Sequence, residues 1–170
     1  MLSSDPANLD PAQTNTVRAI SVKMNPFDSL LRLDPRTLDL EPGAAESWAI
    51  SEDRRTVTFR LRRGIRFHHG REMTADDVKY SIERILAPET ASPFLRSFDR
   101  IVGAQEFTAG QAREVSGIRV LDRYRVAVTI SVVDCTFPLA FSTLFIVPRD
   151  EAERLGREFG QRPVGSGPFG

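Results

Sequence analysis

Four places in the sequence carry residue types that could do chemistry: His68-His69, Gly165-Ser166-Gly167, the lone Cys135, and the acidic pair Asp76-Asp77. Two histidines invite a metal reading, because neutral imidazole is a common metal ligand. Neighbouring side chains on a strand point to opposite faces, and the chain holds 2 His in all. A structural turn therefore accounts for the pair better than a chelate. The serine between glycines lacks the Gly-x-Ser-x-Gly spacing of a nucleophile elbow and the Lys of a phosphate-binding loop. Cys135 has no second cysteine for a disulfide or a multi-cysteine metal site. Its neighbours Val132, Val133 and Phe137 predict a small buried apolar residue, and no basic neighbour would activate the thiol. Asp76 and Asp77 follow Thr74 as N-terminal acids follow a helix cap. That role explains them better than a catalytic pair. The sequence predicts no enzyme, no metal and no cofactor.

The elements that would position these residues follow from periodicity. Residues 1–16 read as loop. Val17, Ile20, Met24, Phe27 and Leu31 recur at mostly three- and four-residue spacing, which predicts helical turns interrupted near Pro26. Residues 33–47 read as a connector with turn chemistry. Thr56-Val57-Thr58-Phe59-Arg60-Leu61 alternates as a half-buried strand does, and Ile65 and Phe67 resume the pattern after Gly64. A hairpin is the expected outcome, with Arg60, Arg62, Arg63 and Arg66 on its solvated face. Thr74 should cap a helix whose apolar face is Val78, Ile82, Ile85 and Leu86, closed by Pro88. A short helix is expected after Ser92-Pro93. A second hairpin follows from Ile118 and Val120, the Asp122-Arg123 turn, and Tyr124, Val126, Val128 and Ile130. Phe137–Phe145 reads as a buried helix, and Arg149–Phe159 as a short polar one. This mixture is α+β, without internal repeats.

The composition bounds the function. The chain has 170 residues, 41% of them hydrophobic and 27% charged, so it can own a core. Lys+Arg and Asp+Glu are both 23. That balance argues against nucleic acid, whose partners carry a basic excess. No stretch approaches the ~18 apolar residues of a membrane span. The first residues, Met1-Leu2-Ser3-Ser4-Asp5-Pro6, lack the basic region and apolar run of a signal peptide.

Several segments, in order, resemble the family 5 extracellular solute-binding proteins, which serve ABC importers of oligopeptides, dipeptides and nickel. They are Leu9-Asp10-Pro11, Phe27-Asp28-Ser29-Leu30-Leu31, and a long block from Glu41 to Val78. That block holds Ala45-Glu46-Ser47-Trp48, Thr58-Phe59-Arg60-Leu61-Arg62-Arg63-Gly64, Phe67-His68-His69-Gly70 and Thr74-Ala75-Asp76-Asp77-Val78. Ala91-Ser92-Pro93-Phe94, Ile146-Val147-Pro148 and Pro163-Val164-Gly165-Ser166-Gly167-Pro168-Phe169 complete the series. His69 stands where the family usually has Asp, and Phe27-Asp28-Ser29 replaces a common Tyr-Glu-Gly.

The resemblance implies a partial periplasmic-binding-protein type II-like fold. Residues 1–39 would start lobe I, 40–145 would form the family's small α+β extra domain, and 146–170 would return to lobe I, with the second lobe absent. It implies a monomer that captures a solute, expected to be a peptide, and delivers it to ABC permease subunits of the inner membrane. Localisation would be periplasmic or extracellular. Ligand contacts would come from Ile20, Ser21 and Phe94, with Ser142 and Ser166 near the lobe junction. A ligand-sensing module of a regulator, or a truncated fragment without binding activity of its own, are the alternatives.

Overall fold

The computed structural model describes residues 10–13, 27–162 and 164–166. Its centre is a four-stranded antiparallel sheet in the order β3-β4-β6-β5. The strands are β3 (Ala45–Ile50), β4 (Thr56–Leu61), β5 (Ile118–Asp122) and β6 (Arg125–Thr129). A separate two-stranded ribbon pairs β1 (Leu31–Leu33) with β2 (Leu40–Pro42). Gly43 joins the ribbon to the sheet. A Cβ there would lie 2.5 Å from the carbonyl oxygen of Ser29, so the close backbone crossing requires glycine.

The alternation of β4 sets the buried face. Val57, Phe59 and Leu61 are buried, and they lie beside Val126 and Val128 of β6. Helix α1 (Ala75–Leu86) covers this face with Val78, Ile82, Ile85 and Leu86. Short helices α2 (Leu95–Phe98), α3 (Ala104–Thr108) and α4 (Phe137–Ala140) close the remainder. The Phe141 ring sits 4.5 Å from that of Phe59 and 5.7 Å from that of Phe98. Helix α5 (Arg149–Leu155) and a 3₁₀ turn (Gly156–Gly160) form a second apolar cluster, in which Val147, Ala152 and Phe159 meet Phe27. Among the described residues, no helix is long and apolar enough to cross a membrane.

The α+β class, the capped helix, the short helix after Pro93 and the second hairpin stand as the sequence predicts. Four expectations are corrected. The helical pattern over 17–31 falls mostly outside the described residues, and its end, Leu31, lies in strand β1. The strand at 56–61 does not turn back through Ile65 and Phe67. It pairs with β3 across the Ser51–Arg55 turn and with β6 on its other side. Strand β3 escaped periodic reading because it is a sheet edge with a bulge near Ala45, and it exposes most of its residues. The apolar run at 137–145 is helical only over Phe137–Ala140. The Ser142 and Thr143 hydroxyls donate back to the carbonyls of Leu139 and Ala140, at 2.7 and 2.8 Å, and end the helix there. Finally, Cys135 is exposed, not buried. Asp134 accepts from the Thr136 backbone and hydroxyl and pairs with Arg100. That anchor holds the 131–136 loop outside the sheet, with Val132 and Val133 also exposed.

Candidate functional site

The five residues expected to meet a ligand fall in three places. Ile20 and Ser21 lie outside the described residues. Phe94 is half-buried at the N-terminus of α2, and its N–H donates to Ser92 Oγ at 3.2 Å. Ser142 follows α4, and Phe98 and Phe141 bring α2 and α4 together. Phe94 and Ser142 thus sit on neighbouring elements. Ser166 is elsewhere, one residue beyond Gly165, which accepts from His68 N–H and donates its own N–H to His68 Nδ1. Its hydroxyl is buried and makes no hydrogen bond among the described residues.

The two histidines serve different segments. The turn at 67–70 closes through Gly70 N–H to Phe67 O at 2.7 Å. His68 N–H donates to Gly165 O at 2.8 Å, while His69 Nε2 lies 3.2 Å from Asp150 Oδ2. Among the described residues, no three His, Cys, Asp or Glu groups could hold a metal ion together. Arg60, Arg62, Arg63 and Arg66 are exposed, as the sequence predicts.

What the sequence reading missed is a polar seam along α1. Asp77, Ser81 and Arg84 recur at four- and three-residue spacing, so they share one face, away from Val78 and Ile82. Thr74 and Asp77 form a reciprocal capping box, with Thr74 N–H donating to Asp77 Oδ2 at 2.9 Å. The same buried carboxylate accepts two bonds from Arg71, at 2.6 and 3.0 Å, and one from Arg149 N–H at 3.2 Å. Arg71 also reaches Asp150 at 2.9 Å. The Asp77 bonds, against a burial cost and with help from Asp150, hold the Arg71 guanidinium firmly protonated. Ser81 Oγ donates to Asp77 O at 2.7 Å and accepts from Val147 N–H at 3.0 Å. Arg84 grips both carboxylate oxygens of Asp10, and both side chains are largely buried. Burial disfavours the Arg84 charge, and the Asp10 bonds outweigh it. The seam therefore fixes two distant segments (10–12 and 147–150), and the adjoining 71–74 segment, onto one helix. The sequence signal was three polar residues at helical spacing in an otherwise apolar-facing pattern.

This architecture has relatives. The model of the family 5 bacterial extracellular solute-binding proteins (middle region) matches residues 39–170. The chain belongs to that family. Di/tripeptide-binding protein 3 of Pseudomonas aeruginosa is 33% identical over 181 aligned positions, covering 96% of this chain and 33% of the relative. Among solved structures, the periplasmic oligopeptide-binding protein OppAIV of Borrelia burgdorferi superposes with a TM-score of 0.86 at 33% identity, over 97% of this chain and 34% of its own. Haemophilus influenzae OppA, in complex with the peptide RPPGFSPFR, gives 0.86 at 27% identity, over 96% of this chain and 33% of its own. The chain thus spans about a third of the length of the family members it matches. Its fold is part of the larger fold of these binding proteins.

Proposed function

We propose that this chain acts within a substrate-binding component of a bacterial ABC importer, one that captures peptides and hands them to permease subunits. The observation that carries this reading is the superposition, over nearly the whole chain, on an oligopeptide-binding protein complexed with a peptide. The dipeptide- and tripeptide-binding relatives add support from sequence. Its family is one of extracellular binding proteins. We infer binding without catalysis, action as a monomer, and a location outside the cytoplasmic membrane.

In this reading, residues 1–39 and 146–170 contribute to lobe I, and 40–145 form the small extra domain. The second apolar cluster, where Phe27 packs with Val147, Ala152 and Phe159, supports that division, while Leu30, Leu31 and Ile146 join the core of the sheet. The proposed ligand contacts are Ile20, Ser21, Phe94, Ser142 and Ser166. Phe94 is the most informative to test, since it is half-buried and packs against the core. Lobe closure around a solute would be a hinge motion.

A mixed di- to nonapeptide library passed over the immobilised chain tests the proposal, with retained peptides read by mass spectrometry. Retention of peptides, weakened at least tenfold by Phe94→Ala with the thermal midpoint held, is the expected result. No retained peptide from a chain that melts cooperatively would overturn it.

A further inference from the structure

A concave site lies at the end of the sheet where β3 turns into β4, and its lining includes none of Phe94, Ser142 or Ser166. The cavity holds about 440 Å³. That is the size range of small-ligand pockets, which are apolar with a few placed polar groups. Its floor is Val57, Ile130, Phe137 and Pro138, and Ile50 extends the apolar wall to the surface, where it is half exposed. Exposed Val132, Val133 and Leu139 flank the lining residues in sequence.

The mouth carries charge of both signs. Glu52 and Arg54, two residues apart on the β3–β4 turn, both line the cavity. Neither side chain makes an ion pair or hydrogen bond among the described residues. Their neighbours do: Asp53 binds Ser51 Oγ and Arg55 N–H, and Asp134 binds Arg100 and Thr136. Arg54 is also held in the left-handed backbone region, at φ +56°. Non-glycine residues pay a conformational cost there, and such positions cluster at ligand clamps.

We propose that this cavity binds an apolar zwitterion: a free hydrophobic amino acid, or a dipeptide with hydrophobic side chains. The carboxylate pairs with Arg54 and the ammonium with Glu52. The side chain lies on Val57, Ile130 and Phe137. An apolar ligand without charge would leave both mouth groups unused. A fatty carboxylate would use Arg54 and set its own charge beside Glu52. Charge complementarity of both signs over one apolar floor selects the zwitterion.

Cys135 lines the same cavity and is exposed, so it reports occupancy. The full chain is titrated with leucyl-leucine and with leucine, following iodoacetamide labelling of Cys135 and the methyl NMR signals of Val57 and Ile130. The expected result is labelling slowed at least fivefold at saturation, with both methyl signals shifted. Arg54→Ala and Glu52→Gln should each raise the dissociation constant at least fivefold, and Phe94→Ala should leave it unchanged. Absence of protection and shifts at millimolar ligand overturns the proposal. So does equal binding of uncharged N-acetyl-leucinamide, which would mean adventitious apolar contact only. Loss of protection on Phe94→Ala, with Arg54→Ala silent, would assign the binding to the other site and equally overturn it.

Discussion

The two faces of helix α1 hold the molecule by different physics. One face presses Val78, Ile82 and Ile85 into the sheet and the phenylalanine cluster. The other offers Asp77, Ser81 and Arg84 to segments 66 to 74 residues away in sequence, through directed bonds. Apolar burial is non-directional and scales with area, so the first face tolerates changes that keep its volume. The second depends on named partners, and a carboxylate left buried without its guanidinium is costly. The apolar face makes the domain fold. The polar face decides where the 10–12 and 147–150 segments lie on it, and both belong to the stretches proposed to form lobe I.

The largest expected effect falls on the apolar side. Phe141 is fully buried among Phe59, Phe98 and Phe137. Phe141→Ala should cost about 3–5 kcal/mol of unfolding free energy, as measured by denaturant melts followed by circular dichroism. Phe141→Leu should cost much less. If the two cost the same, the cluster is not packed as described.

The comparison also explains what the sequence revealed. The apolar face was legible because its period is local. Alternation in Thr56–Leu61 and in the 118–130 hairpin, and three- and four-residue spacing from Val78 to Leu86, each sit inside one element. Edge strand β3 was missed, since a bulge and an exposed environment erase alternation. Cys135 was misplaced because apolar neighbours predicted burial, whereas the Asp134 anchor governs that loop. The seam's helical spacing was readable, but its distant partners were not. Arg84 on an exposed helix face and Arg84 gripping Asp10 look the same in a sequence. Of the proposed ligand contacts, only Phe94 and Ser142, at the ends of adjoining helices, fall near one another.

Breaking the polar side at one partner comes next in size. Arg84→Met leaves Asp10 buried without its two guanidinium bonds. A loss of about 3 kcal/mol is expected from removing the opposite charge beside that buried carboxylate. The double change Asp10→Leu with Arg84→Met removes both charges and should recover most of it. A double variant as weak as the single one would show that the pair stabilises outright, and would erase the contrast between the two faces.

A smaller effect separates the exposed end of the seam from its buried end. Burial works to raise the Asp150 carboxyl, and the Arg71 bonds overcome it and hold it below its ordinary 3.8. A lowered carboxylate contributes stability above its unfolded value, and that contribution is lost as pH falls through the lowered folded value. Asp150 is half exposed, so solvent screens the gain. Asp150→Asn should lower stability at pH 7 by less than about 1 kcal/mol. The gap from the parent should close in melts below pH 3.8. A gap that persists unchanged at low pH would mean that Asp150 acts by shape alone.

The smallest predicted change has the opposite sign. Glu83 sits on α1 with its carboxylate largely buried, accepting from Val115 N–H at 2.9 Å. Burial pushes its carboxyl above 4.5, against the Val115 bond and the attraction of Lys79. The folded chain then holds this proton more tightly than the unfolded chain does. Stability falls as pH rises past 4.5 toward the raised folded value, and stays reduced at neutral pH. Glu83→Gln keeps an acceptor for Val115 and removes the charge. It should stabilise the chain at pH 7 by up to about 1 kcal/mol, with the difference vanishing below pH 4.5. Calorimetric midpoints across that range read it directly. Destabilisation at pH 7 would mean that the Lys79 attraction outweighs burial, and that this position behaves like the seam and not like a carboxylate pressed against the core.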